Sequence, residues 1–447
     1  MSCHLNGNNA SDQSGSEKTE SIFNYLNKNS DYIFDDDKLH TFELDIPDSL
    51  LAKIDADPAA EEYVTGDLIF EGETVSNVGI RYKGSVGSFV FCLSGTDEEG
   101  EDFMNPSGYK VCTKLSMKVD VARSNPDATF YGLKKLQFHA QNLDAGKLRE
   151  RLGYHLYQEM GVESPRSVHV RLVINGQYSG IYGLTEQIDS QFAAENFSNG
   201  TGNLYKEIWP NDFTGNPYPE AGLIAALETN KDKADVSKMK EFGEAILAAD
   251  ENELTDVIEK WMDVDRMINY IAVDRAIRAD DGAFHWYCNP KGCSNHNFYW
   301  YENPDNGKMY LIPWDMDNSF ENIIEDHNPV TPIADEWGTS SGDCSPYPYG
   351  AMGIQQRSAI CDKLTRGWAS YTEKYHQAQM KLVEGPMAKQ RIDELITKWS
   401  NQITAATQEA ADIHEDATSM SDWKTAVELL RDQMAHSRNE ILEIGQE

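Results

Sequence analysis

The first third of the chain alternates hydrophobic and polar residues as β-strands do. The alternation is visible in the segments "HTFELDI" (40–46), "DLIFEGETVSNVGIRYKGS" (67–85) and "TKLSMKVDV" (113–121). A period of two places every second side chain on one face of a strand. Residues 40 to 125 therefore predict an antiparallel sheet. It is interrupted by an acidic, glycine-rich stretch between Cys92 and Cys112, which has the composition of a solvated loop.

The pattern then changes to the period of a helix. Apolar residues recur every four positions at Leu148, Leu152, Leu156 and Met160. Asp144 is predicted to cap the start of this helix, and Gly161 and Pro165 to end it. A strand, an Asn175-Gly176 turn and a second strand are predicted next, over 167–189. Sheet, helix and hairpin predict one compact α+β lobe.

Helical patterns dominate from about residue 190. A long apolar-periodic helix is predicted from Asp263 to just before Asp280, followed by two strands in 296–301 and 308–317, and by mostly helical sequence after about residue 365. The predicted organisation is a disordered polar tether over 1–37, a β-rich lobe over 38–188 and a larger, mainly helical lobe over 189–447. The predicted fold class is α+β.

Charge restricts the partners of this chain. It has 447 residues with 39 Lys and Arg against 74 Asp and Glu, a net charge of -35. Such a polyanion repels nucleic acid and anionic membrane surfaces, so neither is an expected partner. No apolar run is long enough to span a bilayer, so no transmembrane segment is expected. An anionic substrate or cofactor would require local cations or bound metal ions.

The seven cysteines bear on whether the protein works in an oxidising or a reducing compartment. Cys3 is a candidate lipid-anchored residue of a bacterial lipoprotein, with an incidental cysteine in a polar tail as the alternative. The other six fall into local groups, and six cysteines allow 15 connectivities. We expect local pairing and an oxidising location outside the cytoplasm. Zinc is the competing interpretation, but no second pair stands at ligand spacing. The groups are Cys92 with Cys112, Cys288 with Cys293, and Cys344 with Cys361.

Four polar residues of the second lobe are candidates for a catalytic or metal-binding site, because each lies at the end of a predicted helix or strand. Asp281 lies in a turn after the long helix, Asn297 begins one strand, and Asp315 and Asp317 follow its partner strand. Hard oxygen ligands of this kind suit Mg²⁺ or Mn²⁺. In phosphoryl transfer one Asp positions the attacking hydroxyl, an Asn and a second Asp hold the metals, and a Lys pairs with phosphates.

These segments resemble the CotH family of atypical, protein-kinase-like proteins. The resemblance runs from about residue 38 to about residue 325. It is carried by "VGIRYKGSVGSF", "KLSMKVDV", "KLRERLGYHLYQEMGVESP", "GIYGLTEQID", "DDGAFHW", "NHNFYWY" and "IPWDMDNSF", in that order. It implies a two-lobed kinase-like fold that binds ATP and a divalent metal and phosphorylates proteins.

By position, the resemblance implies that Asp281 is the catalytic aspartate. Asn297 and Asp315 are then metal ligands, and Asp317 is a second metal ligand or a carboxylate just outside the metal shell. The adjacent Asp280 leaves the choice of catalytic residue open. The insert "WYCNPKGCSN" separates Asp281 from Asn297 more widely than is usual in the family. A disulfide-closed loop would allow the two to remain adjacent.

The first lobe supplies the candidate nucleotide-binding residues. The loop in "RYKGSVGSF" is expected to cover phosphates, with Arg81 or Lys83 nearby. Lys114 and Lys118 lie four residues apart on one predicted strand face, and either is a candidate for the lysine that pairs with phosphates. Lys118 is the favoured choice.

The helix and the segment between the lobes supply further candidates. Arg149, Glu150 and Glu159 are candidate ion-pair partners of that lysine, and Glu150 lies off the leucine stripe whereas Glu159 lies along it. The choice stays open. Backbone groups from Glu186 to Ile188 are expected to meet adenine.

Three functions are compatible with these residues. The first is an ATP- and metal-dependent kinase that phosphorylates protein Ser or Thr hydroxyls outside the cytoplasm. The second is a catalytically silent surface, coat or adhesion protein on the same fold. The third is a metal-dependent phosphohydrolase, which would leave the lysine-bearing sheet without a purpose.

Overall fold

The computed structural model describes residues 29–84, 86–89, 91–95, 106–321, 323, 344–349 and 354–444. Cys3 and most of the acidic insert lie outside this set, so the expectations for them stay predictions. Within it, the fold is α+β, as predicted: a β-rich first lobe with one central helix packed on it and a larger, mainly helical second lobe.

The first lobe is built on a closed barrel of seven strands rather than an open sheet. The strands follow the order β1-β2-β3-β4-β5-β7-β6, and all neighbours are antiparallel except β1 and β6, whose parallel pairing closes the barrel. Alternate residues such as Met117 and Val119 fill the interior. The strands are β1 (His40–Asp45), β2 (Val64–Phe70), β3 (Glu73–Tyr82), β4 (Met117–Asp120), β5 (Lys135–His139), β6 (Ser167–Ile174) and β7 (Gln177–Thr185).

The chain before β1 is folded from residue 30 onwards. A 3₁₀ turn over Ser30–Tyr32 leads to Ile33 and Phe34, which are buried in the barrel core. The predicted tether over 1–37 therefore extends too far, because these apolar side chains close one end of the barrel. Asp36 also accepts a hydrogen bond from Trp399 Nε1 at 2.9 Å, which ties this segment to the C-terminal helices.

The central helix starts later than the sequence pattern indicates. It spans Arg149–Glu159, five residues after Asp144. Asp144 still serves its start, because its carboxylate accepts a hydrogen bond from the Arg149 backbone N–H at 2.8 Å. Lys147 has a left-handed backbone (φ 60°), which keeps the helix from starting before it. Seven residues of this helix are buried, so it packs against both lobes.

Within the described residues, the second lobe combines nine helices with two small sheets. The sheet β12-β11-β8 carries the predicted hairpin, and its edge strand β8 falls in a region expected to be helical. The second sheet has the order β10-β9-β14-β13. These strands are β8 (Leu204–Lys206), β9 (Trp286–Asn289), β10 (Gly292–Ser294), β11 (Phe298–Glu302), β12 (Met309–Pro313), β13 (Tyr347–Tyr349) and β14 (Ile354–Arg357).

The helices are numbered here along the chain. The predicted helix from Asp263 is confirmed as α8, and the helical C-terminal region as α9 to α12. The helices are α1 (Asp48–Ala56), α2 (Val86–Phe89), α3 (Arg149–Glu159), α4 (Ser190–Asn196), α5 (Glu220–Ala225), α6 (Ser237–Ala248), α7 (Leu254–Trp261), α8 (Val264–Ile277), α9 (Lys363–Ala369), α10 (Thr372–Glu384), α11 (Lys389–Ile413) and α12 (Met420–Ile444).

Three disulfides have the expected local pairing. They join Cys92 to Cys112, Cys288 to Cys293 and Cys344 to Cys361. Across the described ranges, none of the helices has the length and apolar character needed to cross a bilayer.

Candidate functional site

The β11–β12 hairpin brings two of the candidate metal ligands to one edge. Phe298 pairs with Pro313, so Asn297 and Asp315 lie just beyond the same end of the two strands. The Trp314 N–H donates to the Asn297 carbonyl at 3.1 Å, which extends the ladder by one step. Both Asn297 (φ 56°) and Asp315 (φ 59°) have left-handed backbones, which turn the chain sharply at this edge.

The turn after α8 distinguishes the two adjacent aspartates. The Asp280 carboxylate accepts from Arg278 Nε at 2.9 Å and lies 3.6 Å from His285 Nε2, so it faces the interior of the second lobe. The Asp281 carboxylate instead accepts a hydrogen bond from Asn297 Nδ2 at 2.7 Å. Of the two, Asp281 lies with the other candidate residues.

The insert between Asp281 and Asn297 does not separate them in space. It forms the β9–β10 hairpin, in which Cys288 and Cys293 are paired across the two strands and bonded as a disulfide. The side chain of Asn295 donates to the Ala283 carbonyl at 2.7 Å, which closes the base of the loop. The chain thus leaves and returns at nearly the same point.

Carboxylates crowd this edge. Burial, reinforced by the charge of Asp315, raises the pKa of Asp281 to about 7. Burial together with Asp315, Glu150 and Asp281 raises the pKa of Asp317 well above its usual value. Mutual repulsion of this kind is relieved by a bound cation, so the donor set fits Mg²⁺ or Mn²⁺. Asp315, Asp317 and the amide oxygen of Asn297 are the groups that would hold it.

A lysine, a histidine and a glutamate connect the barrel to α3. Lys83 Nζ lies 2.7 Å from His139 Nε2, and His139 Nδ1 lies 2.7 Å from Glu150 Oε1. Because an ammonium can only donate, Nε2 accepts from Lys83 and Nδ1–H donates to Glu150. One ligand atom each from His139, Glu150 and Asp315 lies within 4.8 Å of the other two. Lys83 and Glu150 therefore face the carboxylate cluster.

Two other candidate cations share this outer face of the barrel. Arg81 and Lys118 are opposite each other on β3 and β4, with side chains directed away from the barrel core. Arg81 is paired with Glu61 at 2.6 Å. Burial and the neighbouring charges of Lys135, Lys83 and Arg81 lower the pKa of Lys118 to about 7. The face thus concentrates positive charge opposite the acidic edge.

Lys114 does not belong to this face. The expectation that it shares a strand face with Lys118 is wrong, because β4 begins only at Met117 and the chain bends before it. Lys114 Nζ donates to the Ile181 carbonyl at 2.5 Å and lies 4.8 Å from the centre of the Tyr182 ring.

The segment that joins β7 to α4 passes beside the cleft. The Glu186 side chain turns away from it and binds Arg166, with Oε1 2.5 Å from Arg166 Nη2. Ile188 is fully buried in a cluster with Tyr299 and Trp314. Since the Glu186 N–H donates to the Arg166 carbonyl, the adenine contact expected here would rest on other backbone groups of the segment.

Comparison with known proteins places the chain in a family. The model of the family described as "CotH kinase protein" matches residues 80–442, well over half of the chain. The chain belongs to the CotH kinase protein family. It is a kinase-like protein, in agreement with the resemblance found in its sequence motifs.

Two relatives match part of this chain. Inner spore coat protein H of Bacillus subtilis (strain 168) is 22% identical over 194 residues, which cover 42% of this chain and 51% of that protein. Invasin CotH2 of Rhizopus delemar is 26% identical over 188 residues, which cover 40% of this chain and 30% of that protein. The chain thus matches about half of the first relative's length and less of the second.

Two solved structures show weaker similarity. The proinflammatory kinase CtkA of Helicobacter pylori aligns with 86% of this chain and 96% of its own, with a TM-score of 0.29 and 8% identity. A chain from a complex of HipA, HipB and operator DNA of Shewanella oneidensis MR-1 aligns with 71% of this chain and 62% of its own length, with a TM-score of 0.26 and 11% identity. These values are too low to bear on function.

Several residues of the cleft are not among those selected from the sequence. His139 lies between Lys83 and Glu150, and Tyr154 of α3 accepts a hydrogen bond from the Asp315 N–H at 2.9 Å. Lys206 ends β8, Glu207 follows it, and their side chains form a pair at 3.6 Å. The alternation of apolar and polar residues along β5 was the sequence signal that could have identified His139. For Lys206 and Glu207 the strand itself was missed.

Proposed function

We propose that this protein is a metal-dependent kinase that transfers the γ-phosphoryl group of ATP to Ser or Thr hydroxyls of proteins. The proposal rests on one observation: His139, which holds Lys83, and Glu150 of α3 each place a ligand atom within 4.8 Å of one on Asp315, so the lysine of the barrel lies beside the acidic edge. Phosphoryl transfer needs cations for the phosphates and carboxylates for metal and nucleophile, held on opposite sides of one cleft.

Lys83, rather than the Lys118 favoured by the sequence, is the lysine proposed to pair with phosphates. It is held by His139, and the charges of both Asp315 and Glu150 act on it. Lys118 lies one strand further along the same face. It would add positive charge to the cleft and offset the repulsion that a chain of net charge -35 exerts on a nucleotide.

Asp281 is the proposed base. Its carboxylate is half-buried, is oriented by the Asn297 amide and has a pKa raised to about 7. A carboxylate in this position can accept the hydrogen bond of an incoming hydroxyl and take its proton during transfer. A divalent ion held by Asn297, Asp315 and Asp317 would neutralise charge on the phosphates.

The place of action is proposed to lie outside the cytoplasm. The three disulfides are of a kind that persists in oxidising compartments. The two relatives are named as a spore coat protein and an invasin, which supports a surface location for this chain as well. A lipid anchor at Cys3 remains part of this proposal.

Calorimetric titration of ATP with Mg²⁺ or Mn²⁺ tests the nucleotide site. Wild-type protein should bind only with metal, and Asp315→Asn should abolish the metal-dependent signal. Asp305→Asn is the matched control, because Asp305 sits in the β11–β12 turn and bonds Ser198 and Asn199 away from the cleft. Absence of binding in folded wild-type protein would refute the proposal and favour the catalytically silent surface role.

Transfer of labelled phosphate from ATP tests the reaction itself. The acceptors are the chain itself and a Ser/Thr-rich protein. We expect Asp281→Asn to retain ATP affinity within about threefold and to lower transfer by about 100-fold or more, because a positioned base contributes at least that factor. Release of free phosphate at the same rate with and without acceptor would instead indicate a phosphohydrolase.

A further inference from the structure

The structure contains a cavity that is separate from the cleft. A cavity of about 220 Å³ lies between the barrel and the turn that joins α11 to α12. Its wall comes from residues 112–114 before β4, residues 179–181 of β7 and residues 414–418 of the turn. The described lining shares no residue with the acidic edge or with the Lys83 cluster.

Two lysines reach this cavity. Lys147 is only 8% exposed, and its ammonium has no hydrogen bond or ion pair with any residue that the structure describes. Lys114 lines the same cavity and uses one of its three donors on the Ile181 carbonyl. Burial lowers the pKa of both, and the charge of Lys147 adds to the effect on Lys114. Both side chains therefore lie in the wall of one cavity.

Hydrogen bonds fix the backbone of Lys147 on both sides. Its N–H donates to the Asp144 carbonyl at 3.1 Å, and its own carbonyl accepts from His169 Nε2 at 2.6 Å. These bonds fix a left-handed residue (φ 60°), a conformation that is unfavourable for lysine. The backbone of Lys147 is thus held in place at the wall of the cavity.

The nearby carboxylates do not pair with either lysine. Asp416 is the one carboxylate among the described lining residues, and it accepts from both the N–H and the hydroxyl of Thr113, at 2.6 and 2.7 Å. Asp144 accepts from the Arg149 N–H. A buried ammonium without a partner is costly, and an anion supplied from solution would remove that cost.

We propose that this cavity binds a phosphate monoester. Two lysine side chains that line one cavity can supply two positive charges, which match the double negative charge of such a group better than the single charge of a carboxylate. The apolar part of the wall, which includes Leu143 and Ala417, fits a short organic substituent on the phosphate. This site is independent of the proposed kinase reaction.

Calorimetry with the full chain in EDTA tests this site. Lys83→Met serves as the background, to exclude phosphate from the cleft. The probes are inorganic phosphate, butyl phosphate and butyrate. We expect butyl phosphate to bind most tightly, and Lys147→Met to weaken it by about tenfold or more, the effect of losing one charged hydrogen bond. Lys147→Arg should retain binding. Lys424→Met, an exposed lysine on α12, is the matched control.

A second measurement keeps the test independent of mutant folding. Acetylation of lysines in unmutated protein, followed by mass spectrometry, should show protection of Lys147 and Lys114 by butyl phosphate and no protection of Lys424. The proposal is overturned if butyrate binds as tightly as butyl phosphate, or if Lys147→Met binds normally without such protection. It is also overturned if the signal disappears in Lys83→Met alone, which would place the phosphate in the cleft.

Discussion

The Lys83, His139 and Glu150 cluster allows a quantitative prediction about α3. Glu150 is 1% exposed and bonds His139 Nδ1 at 2.7 Å. Burial by itself would raise the pKa of Glu150, but His139 and Lys83 outweigh burial and hold it below its usual value. The carboxylate is therefore charged at neutral pH. Glu150→Gln removes that charge while keeping the size of the side chain and an acceptor for His139.

We expect Glu150→Gln to lower the free energy of unfolding by about 2 kcal/mol, the range for a hydrogen bond to a charged group. Glu159→Gln is the matched control on the same helix. Glu159 is about one-third exposed and pairs with Arg391 on the surface, so it should cost about 0.5 kcal/mol or less. Urea unfolding followed by circular dichroism measures both.

A double-mutant cycle connects this cost to the cleft. If Glu150 stabilises the Lys83 ammonium through His139, then Lys83→Met and Glu150→Gln should be non-additive by about 1 kcal/mol. ATP affinity should also fall in Glu150→Gln and remain unchanged in Glu159→Gln. Equal costs for the two glutamate variants, or strict additivity with Lys83→Met, would refute the assignment of Glu150 as the partner of Lys83.

Two further predictions concern ion pairs outside the cleft. Burial would raise the pKa of Asp36, but Arg151 and Lys398 lower it to about 2. A carboxylate whose pKa is lowered by folding stabilises the folded state at any pH above the pKa that it has in the unfolded chain. Asp36→Asn should therefore lower the free energy of unfolding by about 1 kcal/mol at neutral pH. In acid titrations the difference in stability between wild type and variant should vanish between about pH 4 and pH 2. Arg166→Gln leaves the buried Glu186 carboxylate without its guanidinium and should cost about 3 kcal/mol in urea unfolding. Addition of Glu186→Gln should recover part of that loss; no recovery would contradict the pairing.

Local sequence patterns were sufficient to predict those features of the fold that depend on a single turn or hairpin. The Asn175-Gly176 turn fixes the β6–β7 hairpin, and both residues have positive φ angles, as such a turn requires. Likewise, Asn297 and Asp315 were expected to converge because they flank one hairpin, and the antiparallel register places them together. These features depend on neighbours within about twenty residues of sequence.

Features that depend on two-sided packing were not predictable. Glu150 was not preferred over Glu159 because the leucine stripe was treated as the one buried face of α3, whereas α3 is covered by the barrel on one side and by the second lobe on the other. Lys83 could not be ranked above Lys118 without knowing that His139 approaches from β5. Barrel closure by β1 and β6 joins segments more than 100 residues apart.

The arrangement of disulfides has a consequence for how the chain matures. Among the six cysteines from Cys92 onwards, each bond joins two successive cysteines, with separations of 20, 5 and 17 residues. As the chain emerges from its N-terminus, each of these second cysteines would appear while its native partner is the nearest unpaired thiol of the six. Short loops also close at the lowest entropic cost. The native bonds can therefore form in order along the chain, and an oxidant alone, without an isomerase, should suffice to produce them.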